Sequence, residues 1–188
     1  MSLKHAILGF LSFKPFSGYE LKKAFDNSVH HFWPANQSQI YRTLSQMTDD
    51  GLVEKEVIER EERLDMKIYS ITKAGHSELH DWLATPLPEK DTREPFLIQV
   101  FFGGKLSDEE LLNLLHHEKK IAEENLLAYD AIYQASTAKP SSINDSRAFF
   151  LSMLTLEYGI KSNHALLSWL NSAIERIKTK NYSPKEIK

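Results

Sequence analysis

The chain has 188 residues, 41% hydrophobic and 26% charged, with a net charge of −3, which suits one large or two small globular domains and not a disordered polymer. It contains no cysteine, so disulfide and thiolate chemistry are excluded and a cytoplasmic location is expected. The opening Met1-Ser2-Leu3-Lys4-His5 has no leader pattern, and no apolar run approaches the ~20 residues that span a bilayer, so no membrane partner is expected.

In chain order, Leu3, Ala6, Ile7, Phe10 and Leu11 carry the helical i, i+3, i+4, i+7 pattern. Leu8 and Phe13 lie off this stripe and suggest a second apolar side, and Pro15 ends the helix. Ser17 followed by Glu20 is a capping box that opens a short helix to about Asn27, burying Leu21, Ala24 and Phe25. Asn36 with Gln39 opens a third helix in the same way, with Ile40, Leu44 and Met47 on its inner face and Gly51 as a left-handed terminator. Leu52–Ile58 and Lys67–Ile71 read as strands joined by a charged tip, Glu59 to Asp65. Thr72 then caps a fourth helix to about Leu83, expected to bury Ala74, Leu79, Trp82 and Leu83. Three helices, a hairpin and a helix in this order predict a winged helix-turn-helix over residues 1–84.

Thr85-Pro86-Leu87-Pro88 marks a boundary. Everything after it reads as helix: about 91–102, about 107–135 from the cap Ser107 with Glu110, and about 144–178 beyond a loop at Lys139-Pro140-Ser141-Ser142. The 107–135 helix carries a stripe of Leu111, Leu115, Ala122, Leu126, Tyr129 and Tyr133. In the last helix Phe149, Met153, Leu156, Ile160, Asn163, Leu167, Leu170, Ile174 and Ile177 alternate spacings of four and three, a heptad seam. Its polar member, Asn163, is the residue type that fixes register and partner number in such seams at some cost in stability. The seam's partner is the 107–135 helix, a second copy of the chain, or both; the reading adopted is both. The fold class is therefore mainly α, with an N-terminal winged helix-turn-helix (1–84) and a C-terminal α-helical dimerisation domain (89–180).

At this point the chain resembles the PadR family of transcription regulators. The matching residues are Gly18-Tyr19-Glu20-Leu21, Phe32-Trp33, Gln39-Ile40-Tyr41-Arg42-x-Leu44, Gly51-Leu52-Val53, and Tyr69-x-Ile71-Thr72-x-x-Gly75-x-x-x-Leu79-x-x-Trp82-Leu83. Singly these are weak; in this order and spacing they are specific. The helical second half is matched in kind, to the larger subgroup. The resemblance implies a homodimer, often a repressor, that binds double-stranded DNA and in some members answers to a small aromatic effector. It places the interface on the first and last helices, here Leu3 and Ile7 together with Phe149, Met153, Leu156, Ile160, Asn163, Leu167, Leu170 and Ile174.

If Ile40, Leu44 and Met47 face the core, the helical wheel turns Ser38, Tyr41, Arg42, Ser45 and Gln46 outward, with Gln39 beside them. Arg grips guanine and Gln grips adenine through two hydrogen bonds, and hydroxyls hold phosphate oxygens. Arg60, Arg63 and Lys67 of the hairpin are candidates for phosphate or minor-groove contact, although Glu59, Glu61, Glu62 and Asp65 are interleaved with them. Lys14, Lys22 and Lys23 flank the second helix. Residues 1–84 hold 10 Lys and Arg against 12 Asp and Glu, so DNA binding must come from local clustering and not from overall charge. A two-fold dimer would set its recognition helices about 34 Å apart on a pseudo-palindromic operator.

Three other readings compete with DNA binding. An enzyme is disfavoured, because there is no glycine-rich phosphate loop, no nucleophile elbow and no cysteine. His76 and His80 lack the Glu that follows the first His of a zinc protease, and His30-His31 and His116-His117 are adjacent pairs, so no metal or other cofactor is expected. A ligand sensor is the second: Trp33, Trp82, Phe96, Phe101, Phe102 and Trp169 either line an apolar effector pocket or form packing between the domains, and packing is preferred. The third, a helical dimer that acts as an interaction protein without reading sequence, explains the seam but not the wing or the polar face.

Overall fold

In the computed structural model, residues 2–30, 32–59, 66–89, 93–138 and 146–183 are described. They form two compact units, Met1–Glu89 and Lys90–Lys188.

The first unit is set by its helix caps. Helix α1 (Ser2–Leu11) is followed by a two-residue strand β1 (Phe16–Ser17) and helix α2 (Gly18–Asp26). The Ser17 side chain accepts from the Glu20 N–H, and the Glu20 carboxylate accepts from the Ser17 N–H at 2.8 Å. That backbone bond foremost, and then the Ser17 hydroxyl donating to the same carboxylate oxygen at 2.7 Å, hold the Glu20 carboxyl below its ordinary value. Helix α3 (Gln37–Asp49) opens on the reciprocal Asn36–Gln39 pair. It closes at Gly51, whose φ of +70° is the left-handed region that glycine enters without steric cost.

Strands β2 (Val53–Ile58) and β3 (Met66–Ile71) pair antiparallel, and β1 adds to the free edge of β3, so the sheet order is β1-β3-β2. Helix α4 (Lys73–Ala84) starts at Thr72, whose hydroxyl accepts from the Gly75 N–H and reaches the carbonyls of Gly51 and Leu52. Strand β1 was not expected from the sequence, because two residues are too few for period-two alternation to register.

One core joins these elements: Ile7, Leu8, Leu11, Leu21, Phe25, Ile40, Leu44, Met47, Val53 and Tyr69 are buried together. Each fully buried aliphatic contributes about 1.5–3 kcal/mol. Leu8 fills the second apolar side of α1, whereas Phe13 is exposed. On α4 the expectation needs correction. Ala74 and Leu83 are exposed, Leu79 and Trp82 are half-buried, and the buried residue is Gly75. A Cβ there would collide with the Leu52 carbonyl oxygen and lie 2.8 Å from Ile71 Cγ1, so α4 approaches the sheet through a glycine and not through an apolar stripe. His5 stacks on Trp82 with centroids 4.3 Å apart, and its Nε2 lies 3.1 Å from Glu78 Oε1.

The second unit contains α5 (Pro95–Phe101), a single tight turn over Gly103–Lys105, α6 (Asp108–Thr137) and α7 (Ser146–Lys178). Ser107 and Glu110 cap α6 reciprocally. Helices α6 and α7 pack along one another, with Leu115, Leu170 and Ile174 at the core and Phe96, Val100, Leu111 and Leu166 around it. Gly159 lets the Tyr129 ring approach α7, since a Cβ would lie 3.3 Å from that ring. Asn163 Nδ2 donates to the Gly159 carbonyl at 3.0 Å and lies 3.5 Å from the Tyr129 hydroxyl.

Of the expected dimer surface, four positions are covered within the single chain. Ile7 is fully buried in the core of the first unit, and Leu156, Leu170 and Ile174 are buried within the second. Leu3, Phe149, Met153, Ile160, Asn163 and Leu167 are half-buried. The large apolar α7 side chains that remain open are Phe150, Leu151, Leu154, Tyr158 and Trp169, which lie off the seam.

Candidate nucleic-acid interface

Burial of Ile40, Leu44 and Met47 fixes the rotation of α3, and Ser38, Gln39, Tyr41, Arg42, Ser45 and Gln46 all face outward. These side chains divide into two rows. Ser38, Arg42 and Gln46 step by four along one ridge. Gln46 donates to Asp50 Oδ1 at 2.9 Å, and Arg42 forms no ion pair among the described residues. Gln39 differs from its neighbours: its side-chain carbonyl is already engaged at the cap, accepting from the Asn36 N–H at 3.0 Å.

The second row, Tyr41, Ser45, Thr48 and Asp49, runs beside the hairpin. With Lys55, Lys67 and Tyr69 it lines a cleft of about 260 Å³. Lys55 lies directly opposite Tyr69 in the sheet, and Lys67 is two residues before Tyr69, so all three side chains share the sheet face that meets α3. Burial pushes the Tyr69 hydroxyl up from its ordinary range, and the neighbouring Tyr41 hydroxyl adds to the rise. The Tyr41 ring also seats on α2: a Cβ on Gly18 would lie 2.6 Å from its Cζ.

Of the hairpin cations, Lys67 enters this cleft, whereas Arg60 and Arg63 lie outside the described residues. Lys14 sits 4.8 Å over the Phe16 ring and Lys22 pairs with Asp26. Sequence reasoning missed Lys55, Thr48 and Asp49. Lys55 was legible in principle, because the alternation of β2 puts it on the inner face with Val53.

The aromatic residues do not behave as one group. Trp33 and Trp82 belong to the first unit, and His5 covers one face of Trp82. Phe96 and Trp169 meet edge to face at 6.1 Å in the second unit, where Phe101 and Phe102 also pack edge to face and stay exposed. Among the described residues no group of three His, Asp or Glu side chains is placed to hold a metal ion, and no helix is long and apolar enough to cross a membrane.

Comparison with known proteins places this geometry. Residues 7–81 match the transcriptional regulator PadR-like family, and residues 92–178 match the virulence activator alpha C-terminal family. The negative transcriptional regulator PadR of Bacillus subtilis is 30% identical over 177 residues, covering 93% of this chain and 97% of that protein. Its crystal structure in complex with operator DNA superposes with a TM-score of 0.80 at 29% identity, over 94% of this chain and 99% of the other. Its complex with p-coumaric acid gives 0.77 at 30% identity, over 95% and 99%. Over nearly its whole length, then, this chain is a winged helix-turn-helix followed by paired long helices, and it belongs to the transcriptional regulator PadR-like family.

Proposed function

We propose that this protein is a homodimeric transcription regulator that binds double-stranded DNA in a sequence-specific manner through α3 and its wing. One observation carries the reading. The Ser38–Arg42–Gln46 ridge is exposed and polar on the second helix of a helix-turn-helix, and its arginine has no carboxylate partner among the described residues. Supporting it is end-to-end similarity to a protein crystallised on its operator. An arginine so placed reads guanine in the major groove, and each such contact discriminates by about 1–3 kcal/mol. The work is done on chromosomal DNA, which puts the protein in the cytoplasm; its relatives are regulators and not enzymes.

The test is selection of duplexes from a random pool, followed by gel shifts. Arg42→Ala removes one such contact from each half-site of the dimer, so it is expected to weaken the selected duplex by at least roughly 30-fold while leaving the circular dichroism melt in place. Failure to recover any preferred duplex would overturn the DNA reading. Unchanged affinity of the variant would overturn only the role of Arg42.

Release by a small aromatic effector is the second part of the proposal. The B. subtilis relative binds p-coumaric acid, and exposed aromatic side chains are available within the second unit in Phe101, Phe102 and Trp169. A thermal-shift screen with phenolic acids checks it, with a rise in melting temperature as the expected result. Repression fits the relative's description as a negative regulator, and a reporter fused to the selected operator sets the sign.

A further inference from the structure

We infer that the cleft between α3 and the hairpin is a seat for one backbone phosphate of bound DNA, with Lys55 and Lys67 supplying the charge and Ser45 and Tyr41 the hydroxyl donors. The inference rests on the DNA-binding reading above and assigns that surface a second, sequence-independent element. Lys55 and Lys67 stand on adjacent strands as diagonal neighbours on one face, a spacing of roughly 7–8 Å between backbones. Like charges held this close repel, and an anion between them relieves the repulsion.

Neither lysine has an ion-pair partner among the described residues, although Asp49 lines the same cleft. Both are exposed, so their ammonium groups are open to a ligand from solvent. Tyr41 and Ser45 bring hydroxyls to the lining of the same space, whereas the Thr48 hydroxyl donates to the Leu44 carbonyl at 2.8 Å. Two ammonium groups and two hydroxyls make a site for a tetrahedral oxyanion, and lysine binds phosphate as a point charge. The position also suits the backbone. The cleft joins the wing to the flank of α3, beside and not on the Ser38–Arg42–Gln46 ridge, so a phosphate there would position the helix while the ridge reads bases. Asp49 at the rim opposes the anion and limits the affinity of the seat.

The two rows of α3 therefore predict different signatures. Affinity of the full chain for its selected duplex and for a scrambled duplex is measured across a potassium chloride series. Lys55→Gln and Lys67→Gln should each lower both affinities by the same factor and, with one seat in each protomer of the dimer, make the slope of log affinity against log salt shallower by about two. Lysine-to-arginine variants at the same positions should keep the slope. Asp49→Asn should tighten both duplexes equally, an arm that does not depend on removing a lysine. Melting curves checked beforehand should match the wild type for all of these variants. Unchanged slopes in both glutamine variants overturn the seat, as does a loss confined to the selected duplex, which would mean that the lysines read bases. A weaker Asp49→Asn variant also overturns it. If the wild-type chain binds neither duplex, the DNA reading itself fails and takes the seat with it; wild-type binding with unaltered variants removes the seat alone.

Discussion

The ring of Tyr41 lies against the Cα of Gly18: a Cβ added to Gly18 would sit 2.6 Å from Cζ and 2.9 Å from the hydroxyl oxygen. This contact fixes how the recognition helix leans on α2. Tyr41 is therefore a positioning residue as well as a member of the hairpin-facing row.

Gly18→Ala is expected to push the ring outward. Because Tyr41 is partly exposed, the ring has somewhere to go, and the cost should fall near the lower end of overpacking, about 1 kcal/mol. Urea unfolding of Gly18→Ala, Tyr41→Ala and the double variant checks this. If the contact is as described, the double variant loses no more than Tyr41→Ala alone.

Gly75→Ala meets a harder wall. The nearest atom is a backbone carbonyl oxygen, of Leu52, which also receives the Thr72 hydroxyl. Ordinarily Gly→Ala inside a helix gains about 1 kcal/mol. Here a net loss of about 2 kcal/mol is expected, because α4 must move off the sheet. Chemical denaturation measures it, and a stabilised variant would refute the close approach.

Asn163→Leu bears on the seam. The amide nitrogen finds its partner within the chain, donating to the Gly159 carbonyl and lying near the Tyr129 hydroxyl. Replacing it should leave the sedimentation mass unchanged and shift stability by less than about 1 kcal/mol, since only one modest hydrogen bond is exchanged for apolar area. A mixture of oligomers would show that Asn163 sets partner number after all.

Glu78 makes stability depend on acid. A hydrogen bond from Lys4, and then one from His5, holds its carboxyl below the ordinary glutamate value of 4.5. A carboxyl lowered on folding stabilises fully above its unfolded value and loses that contribution as pH falls through the folded value. Solvent screens this partly exposed pair, so about 0.5 kcal/mol is expected. Glu78→Gln should differ from wild type at pH 7 and converge with it near pH 3 in urea unfolding.

Much of this was readable from local chemistry. Ser17–Glu20, Asn36–Gln39, Ser107–Glu110 and Thr72 all cap where their spacing places them, because a cap needs only three or four residues to act. The rotation of α3 followed from Ile40, Leu44 and Met47 for the same reason. Long-range features were not readable. Lys55 acquires its place in the cleft through pairing with β3, and β1 exists only because Tyr69 and Ile68 offer an edge.

The heptad of α7 shows the division most plainly. Periodicity by itself determined that Leu156, Leu170 and Ile174 would be buried, since an apolar stripe on a long helix must leave water. It carried no information on what would cover them, because α6 and a second α7 present the same kind of surface. Within the chain, tertiary packing covers them with α6, with a close approach at Gly159 and Tyr129, and leaves Phe150, Leu151, Leu154, Tyr158 and Trp169 facing out. The sequence thus determined which side chains α3 and α7 hide, by their own 3.6-residue geometry, but not those of α4. The structure decided against which neighbour, by shape.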